Sequence, residues 1–132
     1  MVEDTITDGK RIGQLLSSEI HGHERGALGR LSVVEAEADV EPTEFGAFAY
    51  GIGHDGDGAT RIADVYVHPD RAHVEFREGQ ETAMDVAENE GLRVRPKAVE
   101  PPRTLAFIES GAEVKGALRV VRAVAEGIEE SG

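Results

Sequence analysis

RIADVYVHPDRAHVEFRE, residues 61–78, consists of two largely apolar runs joined by a short polar sequence. In the second run, apolar and polar residues alternate over residues 72–77, which is the period of a half-buried strand. His68-Pro69-Asp70-Arg71 predicts a tight turn, because proline at its second position presets the backbone angle that such a turn needs. The stretch therefore predicts an antiparallel hairpin with strands over 61–68 and 72–78.

Two more strands are predicted before this hairpin. LSVVEAEADV, residues 31–40, places apolar residues at 34, 36, 38 and 40 between acidic ones, which indicates a strand with a charged outer face. Residues 41–44 predict a turn, and FGAFAYGIG, residues 45–53, predicts the second strand. GHDGDGAT, residues 53–60, is a glycine- and aspartate-rich loop.

Helices are predicted at both ends of the chain and after the hairpin. The first begins after Asp8, a suitable N-cap, carries an apolar stripe at Ile12, Leu15, Leu16 and Ile20, and ends at Gly22. The second covers Gln80 to Glu90 and ends at Gly91. The last follows a predicted capping box, Ser110 to Glu113, and has the longest apolar stripe: Val114, Ala117, Leu118, Val121, Val124, Ala125 and Ile128.

Two short strands are predicted between the last two helices, over LRVRPKA at 92–98 and RTLAFIES at 103–110. Pro96 donates no backbone hydrogen bond, so the first of them is expected at an edge of the sheet. The order α-β-β-β-β-α-β-β-α predicts an α+β fold, in which helices cover a mainly antiparallel sheet. Residues 1–8 are expected to be a flexible N-terminus, 9–129 a single domain and 130–132 a tail.

The composition is strongly acidic, with 26 Asp and Glu against 14 Lys and Arg, only three of them lysine. Such a surface is expected in a salt-rich cytoplasm, where a short Debye length weakens repulsion between like charges. Cysteine is absent, which excludes disulfides and thiol chemistry. Neither a signal peptide nor an apolar run long enough to cross a bilayer is present, so we expect a cytoplasmic protein without membrane contact.

The chain resembles a family of small haloarchaeal proteins of unassigned function. The resemblance rests on DGKRI at 8–12, VYVHPDRA at 65–72, RVRPKA at 93–98, PPRT at 101–104 and ESGAEVK at 109–115. It extends over nearly the whole chain and implies a halophilic habitat. It implies no activity.

A basic segment stands out from this acidic background. Residues 92–122 carry seven basic side chains against three acidic ones: Arg93, Arg95, Lys97, Arg103, Lys115, Arg119 and Arg122. One interpretation is a surface that binds nucleic acid or an anionic ligand. The other is that these cations form ion pairs with strand carboxylates such as Glu35, Glu37 and Glu75. If they bind, the arginines of 92–98 should be exposed and close to the basic face of the last helix.

Histidines suggest weaker alternatives. His68 and His73 flank the predicted turn and would form an acid–base pair, with Asp70 between them, if the hairpin brings them together; a plain surface turn is the alternative. His21 and His23, with Glu24 beside them, could contact one metal ion, but nothing nearby in the sequence completes the three or four ligands that a site needs. Asp55 to Tyr66 lacks the glutamate that ends a calcium loop. No nucleotide-binding or nucleophile motif is present, and we expect no metal or cofactor.

From these observations the expected function is a non-catalytic binding or interaction module. Its partner would be a second copy of the chain or another protein. The alternative is a nucleic-acid or anionic-ligand binder that uses residues 93–122. The third is an enzyme with a His/Asp site near residues 68–73.

Overall fold

The computed structural model describes residues 7–22, 26–54 and 60–131. Within these ranges it has four α-helices: α1 (Gly9–Gly22), α2 (Gly26–Gly29), α3 (Gln80–Asn89) and α4 (Val114–Ser131). Its strands are β1 (Leu31–Val34), β2 (Ala47–His54), β3 (Thr60–Val67), β4 (Ala72–Phe76), β5 (Arg93–Lys97) and β6 (Arg103–Ile108). A 3-10 turn, Gly111–Glu113, precedes α4. Most of the predicted flexible N-terminus, residues 1–6, lies outside the described residues.

The six strands form one sheet in the order β1-β2-β3-β4-β6-β5, and every neighbouring pair is antiparallel. The α+β prediction is thus confirmed, as is the edge position of the strand that contains Pro96. The hairpin 61–78 is also found, since Val67 pairs with Ala72 and His68 N–H donates to the carbonyl of Arg71 at 2.8 Å.

The helices pack on one face of this sheet. Tyr50 of β2 donates its hydroxyl to the carbonyl of Gly13 in α1 at 2.7 Å, and Thr104 of β6 donates to the carbonyl of Gln80 in α3 at 3.1 Å. His54 of β2 lies 2.9 Å from Glu129 of α4. The core between the sheet and the helices includes Ile12, Leu16, Val65, Val74, Phe76, Leu118 and Val121.

Local signals predicted the helix ends well. The side chain of Asp8 accepts a hydrogen bond from Arg11 N–H at 3.1 Å, as an N-cap does. Gly91 has φ 78 and ends α3, where only glycine adopts the left-handed conformation without strain. Before α4, by contrast, Ser110 makes no side-chain cap; Glu113 instead accepts a hydrogen bond from Glu109 N–H at 2.7 Å.

The strand predicted over 31–40 is wrong beyond Val34. Glu35 adopts φ 50, which removes the chain from the sheet, and its carboxylate forms an ion pair with Arg61. Residues 36–46 then return to β2 as an irregular segment, held by a hydrogen bond from Glu37 N–H to the carbonyl of Ala49 at 2.8 Å. Sequence alternation alone could not show this, because it does not distinguish Val40, which packs against the core, from Ala36 and Ala38, which are exposed.

Candidate functional site

The opposite face of the sheet, hereafter the helix-free face, is covered by none of the described helices. It nevertheless buries two carboxylates at the centre of the sheet: Asp64 of β3 is 1% exposed and Glu75 of β4 is 4% exposed. These residues pair directly across the two strands. Buried carboxylates need charged partners, because burial without them costs several kcal/mol.

Arginines supply the partners of Asp64. Arg61 Nη1 donates to one carboxylate oxygen at 2.7 Å, and Arg77 Nε donates to the other at 2.9 Å. Arg103 Nη1 lies 3.5 Å from Asp64 and donates to Glu75 at 3.0 Å, so this guanidinium joins the two carboxylates. Arg103 occupies this position because β6 is the neighbour of β4 in the sheet.

Glu75 has three cationic or hydrogen-bonding neighbours. Lys97 Nζ donates to both carboxylate oxygens at 3.3 Å, Arg103 donates to one, and His73 Nε2 lies 3.0 Å from the other. Burial alone would raise the pKa of Glu75. The hydrogen bonds from His73 and Arg103, with the charge of Lys97, outweigh it and lower the pKa to about 2. Glu75 is therefore ionised at neutral pH.

His68 and His73 are in direct contact, with His68 Nε2 2.8 Å from His73 Nδ1. They occupy diagonal positions of the hairpin, since His73 pairs with Tyr66 and His68 with Arg71. Asp70 does not lie between them: its side chain is 73% exposed and contacts Arg71 at 3.3 Å. The carboxylate that completes the group is Glu75, two residues beyond His73 on the same face of β4.

A turn at residues 43–46 lies over the two imidazoles. His68 Nδ1 donates to the carbonyl of Glu44 at 2.9 Å, and Gly46 N–H donates to the carbonyl of Thr43 at 3.1 Å. Gly46 has φ 96, and a Cβ there would lie 3.1 Å from both His68 Nε2 and His73 Cε1. Glycine is needed at this position for its backbone angle and for the room that it leaves. The burial that results lowers the pKa of His68, and the nearby charges of His73 and Arg71 lower it further.

Aromatic side chains hold the second imidazole. His73 stacks on Tyr66 with ring centroids 5.0 Å apart, and the ring of Phe107 lies 5.4 Å away on the other side. Arg71 places its guanidinium 5.6 Å from the centroid of Phe107. Burial, with the negative charges of Glu75 and Asp64, raises the pKa of the Tyr66 hydroxyl, so this ring is neutral.

These groups form one wall of a pocket of about 370 Å³ on the helix-free face, hereafter the cationic pocket. Arg71, Arg95 and Lys97 contribute three positive charges to it against the two carboxylates of Glu44 and Glu75. Its complete lining is Glu44, Phe45, His68, Arg71, His73, Glu75, Arg95, Pro96, Lys97, Ala98, Leu105 and Phe107. Phe45 is 90% exposed, so a large apolar ring stands at the entrance.

The seven basic residues predicted as a binding surface divide between two layers. Arg93, Arg95, Lys97 and Arg103 lie on β5 and β6 and are directed to the helix-free face, whereas Lys115, Arg119 and Arg122 lie on α4, which packs on the other face. The expected proximity of the strand arginines to the helix cations is thus not found.

Five of these cations form ion pairs within the described ranges, but of the strand carboxylates named in the alternative only Glu75 is a partner. Arg93 lies 3.5 Å from Glu109, Lys115 lies 4.0 Å from Glu19, and Arg119 lies 2.7 Å from Glu90. Lys97 and Arg103 bind Glu75, as described above. Glu35 pairs with Arg61 instead of a residue of the segment. Arg95 and Arg122, both exposed, have no ion pair or hydrogen bond with the residues that the structure describes.

The remaining sequence candidates give no site. His21 is exposed at the end of α1, while His23 and the Asp55 to Gly58 loop lie outside the described residues. Among the residues with a described position, no group of three or more His, Asp or Glu side chains could hold a metal ion. No helix in the described ranges is long and apolar enough to span a membrane.

A family model described as a family of unknown function, DUF7993, matches residues 1–132. The chain belongs to this family. No curated protein and no solved structure matches it. The family description names no activity.

In this DUF7993 member, sequence reasoning missed Asp64, Arg61, Arg71 and Phe45 as parts of the site. Asp64 gave a detectable signal, because a lone carboxylate inside the apolar run IADVYV indicates a buried charge that needs a partner. Phe45 gave none. Its exposure depends on the turn at residues 43–46, which the predicted strand over 45–53 did not include.

Proposed function

We propose that the protein is a non-catalytic binding module that holds a small anionic molecule in the cationic pocket. The observation that supports this most is the convergence of Arg71, Arg95 and Lys97 on one pocket of a chain with a net charge of −12. A local excess of positive charge in an acidic protein concentrates anions at that place.

The lining also indicates what else the ligand carries. Phe45, Leu105 and Phe107 contribute apolar surface beside the cations. A site with a few placed polar groups and an apolar remainder suits an organic ligand more than a simple inorganic ion. The ligand class that fits is an apolar or aromatic body bearing one anionic group, a carboxylate, sulfonate or phosphate.

Nucleic acid is the less favoured ligand. A single strand tracks a continuous positive groove and stacks its bases on exposed rings. Here the cations of α4 lie in a different layer from those of β5 and β6. Phe107 is 7% exposed and its ring is engaged with His73 and Arg71. Of the phenylalanines that line the pocket, this leaves Phe45 alone to stack on a base, whereas a strand stacks several successive bases.

The hydrogen bonds of the histidines argue against the enzyme alternative. A general base needs a ring nitrogen within reach of the substrate. Both nitrogens of His68 and both of His73 are engaged, with Glu44, Glu75 and one another. The group is therefore suited to setting the charge of the pocket wall and not to proton transfer with a bound molecule.

Binding of 2-naphthalenesulfonate, an aromatic anion, measured by calorimetry at constant KCl, tests the proposal. Arg95→Gln should weaken binding about tenfold, the loss of one charge-assisted hydrogen bond of roughly 1.5 kcal/mol. Arg122→Gln is the matched control, since it removes an exposed cation from α4 and should leave the affinity unchanged. Absence of binding to the native chain, or equal affinity in both variants, would contradict the proposal.

We also propose that the protein works in the salt-rich cytoplasm of a haloarchaeon and associates with itself or with another protein. The excess of 26 acidic over 14 basic side chains supports the habitat. Phe45 is the candidate contact residue for such a partner, because its large apolar ring is 90% exposed. Light scattering of the native chain and of Phe45→Ser in molar KCl tests it, and a native chain that is monomeric throughout contradicts it.

A further inference from the structure

The three hydrogen bonds through His68 and His73 fix the number of protons that the pair carries. At one end the carbonyl of Glu44 can only accept, so His68 Nδ1 must carry a proton. At the other end the ionised carboxylate of Glu75 can only accept, so His73 Nε2 must carry one. The contact of 2.8 Å between the two rings needs one proton more.

Two neutral imidazoles hold two ring protons, whereas this arrangement holds three. The intact chain of hydrogen bonds thus contains one imidazolium shared by the pair. Without the third proton, one of the three contacts would bring two lone pairs together. The lost bond would be the one from His68 to the turn at residues 43–46, the one between the two rings, or the one from His73 to Glu75.

Cations around the pair oppose this additional charge. Lys97 of β5 and Arg103 of β6 lie against Glu75, and Arg71 of the hairpin turn contacts Phe107 beside His73. Arg95 stands on the same pocket wall. Burial of His68 acts in the same direction, since it lowers the pKa of that imidazole.

Acidic groups compensate in part. Glu75 is the direct partner, Asp64 lies behind it and is shared among Arg61, Arg77 and Arg103, and Asp70 is exposed and close to Arg71. Glu44, whose carbonyl accepts from His68, also lines the pocket, and Tyr66, stacked on His73, is neutral. An anion in the cationic pocket would add the negative charge that favours the third proton.

We infer that an anion binds in the cationic pocket together with one proton, which the His68–His73 pair takes from solvent. The inference rests on the proposed function, because it concerns the same pocket. The His68–His73 pair then belongs to the binding site, because its protonation and the binding of the anion are coupled. The anion stabilises the imidazolium, and the imidazolium keeps all three hydrogen bonds intact, including the one that holds the turn at residues 43–46 over the rings. Proton and anion thus favour each other by the same factor.

The affinity for 2-naphthalenesulfonate, measured from pH 5.5 to pH 9, tests this, since the probe does not titrate in that range. Uptake of one proton makes the affinity fall by up to about tenfold per pH unit, as the pH rises through the range in which the pair loses its additional proton. In Arg95→Gln the affinity should be lower at every pH with the same slope. In His68→Asn, whose amide can still donate to the Glu44 carbonyl, the slope should disappear. His21→Asn, an exposed histidine outside the pocket, is the control and should keep it.

A second measurement uses the native chain alone. In proton NMR spectra, two histidine ring signals should titrate together, and saturating probe should raise their midpoint. An affinity that does not depend on pH, with histidine signals unmoved by the probe, overturns the inference and leaves the proposed function intact. No binding of the probe at any pH overturns both.

Discussion

The backbone of Gly9, at the start of α1, packs directly against the carbonyl oxygen of His68 in the hairpin turn. A Cβ on Gly9 would overlap with that oxygen and with the carbonyl oxygen of Arg71. Gly9 N–H also lies 3.3 Å from the carbonyl of Pro69. The N-terminus of α1 thus packs against the turn that contains His68.

Gly9→Ala should therefore destabilise the protein by about 1–3 kcal/mol, the usual cost of overpacking. The obstructing atoms are backbone atoms of a turn, which cannot rotate away as a side chain does. Chemical denaturation measures the loss. Gly116→Ala in α4 is the control: its Cβ would make only ordinary contacts, at 3.4 Å from Glu90, so higher helix propensity should keep stability unchanged or raise it. Equal effects of the two substitutions would contradict the packing argument.

Local rules predicted the helices and the hairpin because their signals act between residues that are close in sequence. Asp8 and Gly91 mark helix ends through their own backbones, and the apolar stripe of α4 has one period throughout. The strand over 31–40 failed beyond Val34 because the backbone of Glu35 departs from the alternation. A glutamate at position 35 does not predict a positive φ, since non-glycine residues adopt one only occasionally.

The candidate site was predicted only in part, because the sequence does not show which strands are neighbours in the sheet. Alternation put His73 and Glu75 on one face, and the turn brought His68 near them. The approach of Lys97 and Arg103 to Glu75 depends on β6 lying between β4 and β5, which no local pattern specifies. The basic residues of β5 and α4 are neighbours in the basic segment but lie in different layers, because those of β5 are directed to the helix-free face.

Leu118→Ala in α4 should cost about 2–5 kcal/mol, because its side chain is 7% exposed at the centre of the apolar stripe. Glu126→Ala, on the exposed face of the same helix, is the control and should change stability by less than about 0.5 kcal/mol. The free energy of unfolding of each variant is to be measured by urea denaturation. A loss for Leu118→Ala no larger than that of the control would show that the stripe carries little of the core energy.

Thermal stability should rise when KCl increases from low to molar concentration. At low ionic strength 26 carboxylates repel one another across a small surface, and salt screens this repulsion. Salt also weakens exposed ion pairs such as Arg93 with Glu109, but each of these contributes only about 0–1 kcal/mol. The net effect should be an increase in the melting temperature, measured by circular dichroism. A flat or falling melting temperature would contradict the halophilic interpretation.

Glu75→Gln should destabilise the protein most at neutral pH and progressively less in acid. The folded state holds the pKa of Glu75 at about 2, below the ordinary value of 4.5, so the stability due to its charge is complete above pH 4.5 and is lost as the pH falls towards 2. At pH 7 the variant leaves Lys97 and Arg103 without their full counter-charge, at an expected cost of about 3–5 kcal/mol.

The measurement compares the free energy of unfolding of the native chain and of Glu75→Gln from pH 7 to pH 2. Other carboxylates titrate in both proteins and cancel in the difference, which should shrink below pH 4.5. Glu109→Gln is the matched control, because it removes a partly exposed carboxylate whose arginine partner, Arg93, is 71% exposed, and should cost less than about 1 kcal/mol at any pH. A difference for Glu75→Gln that stays constant across this range would mean that its charge does not stabilise the sheet. The buried network would then owe its stability to packing and to the arginines around Asp64.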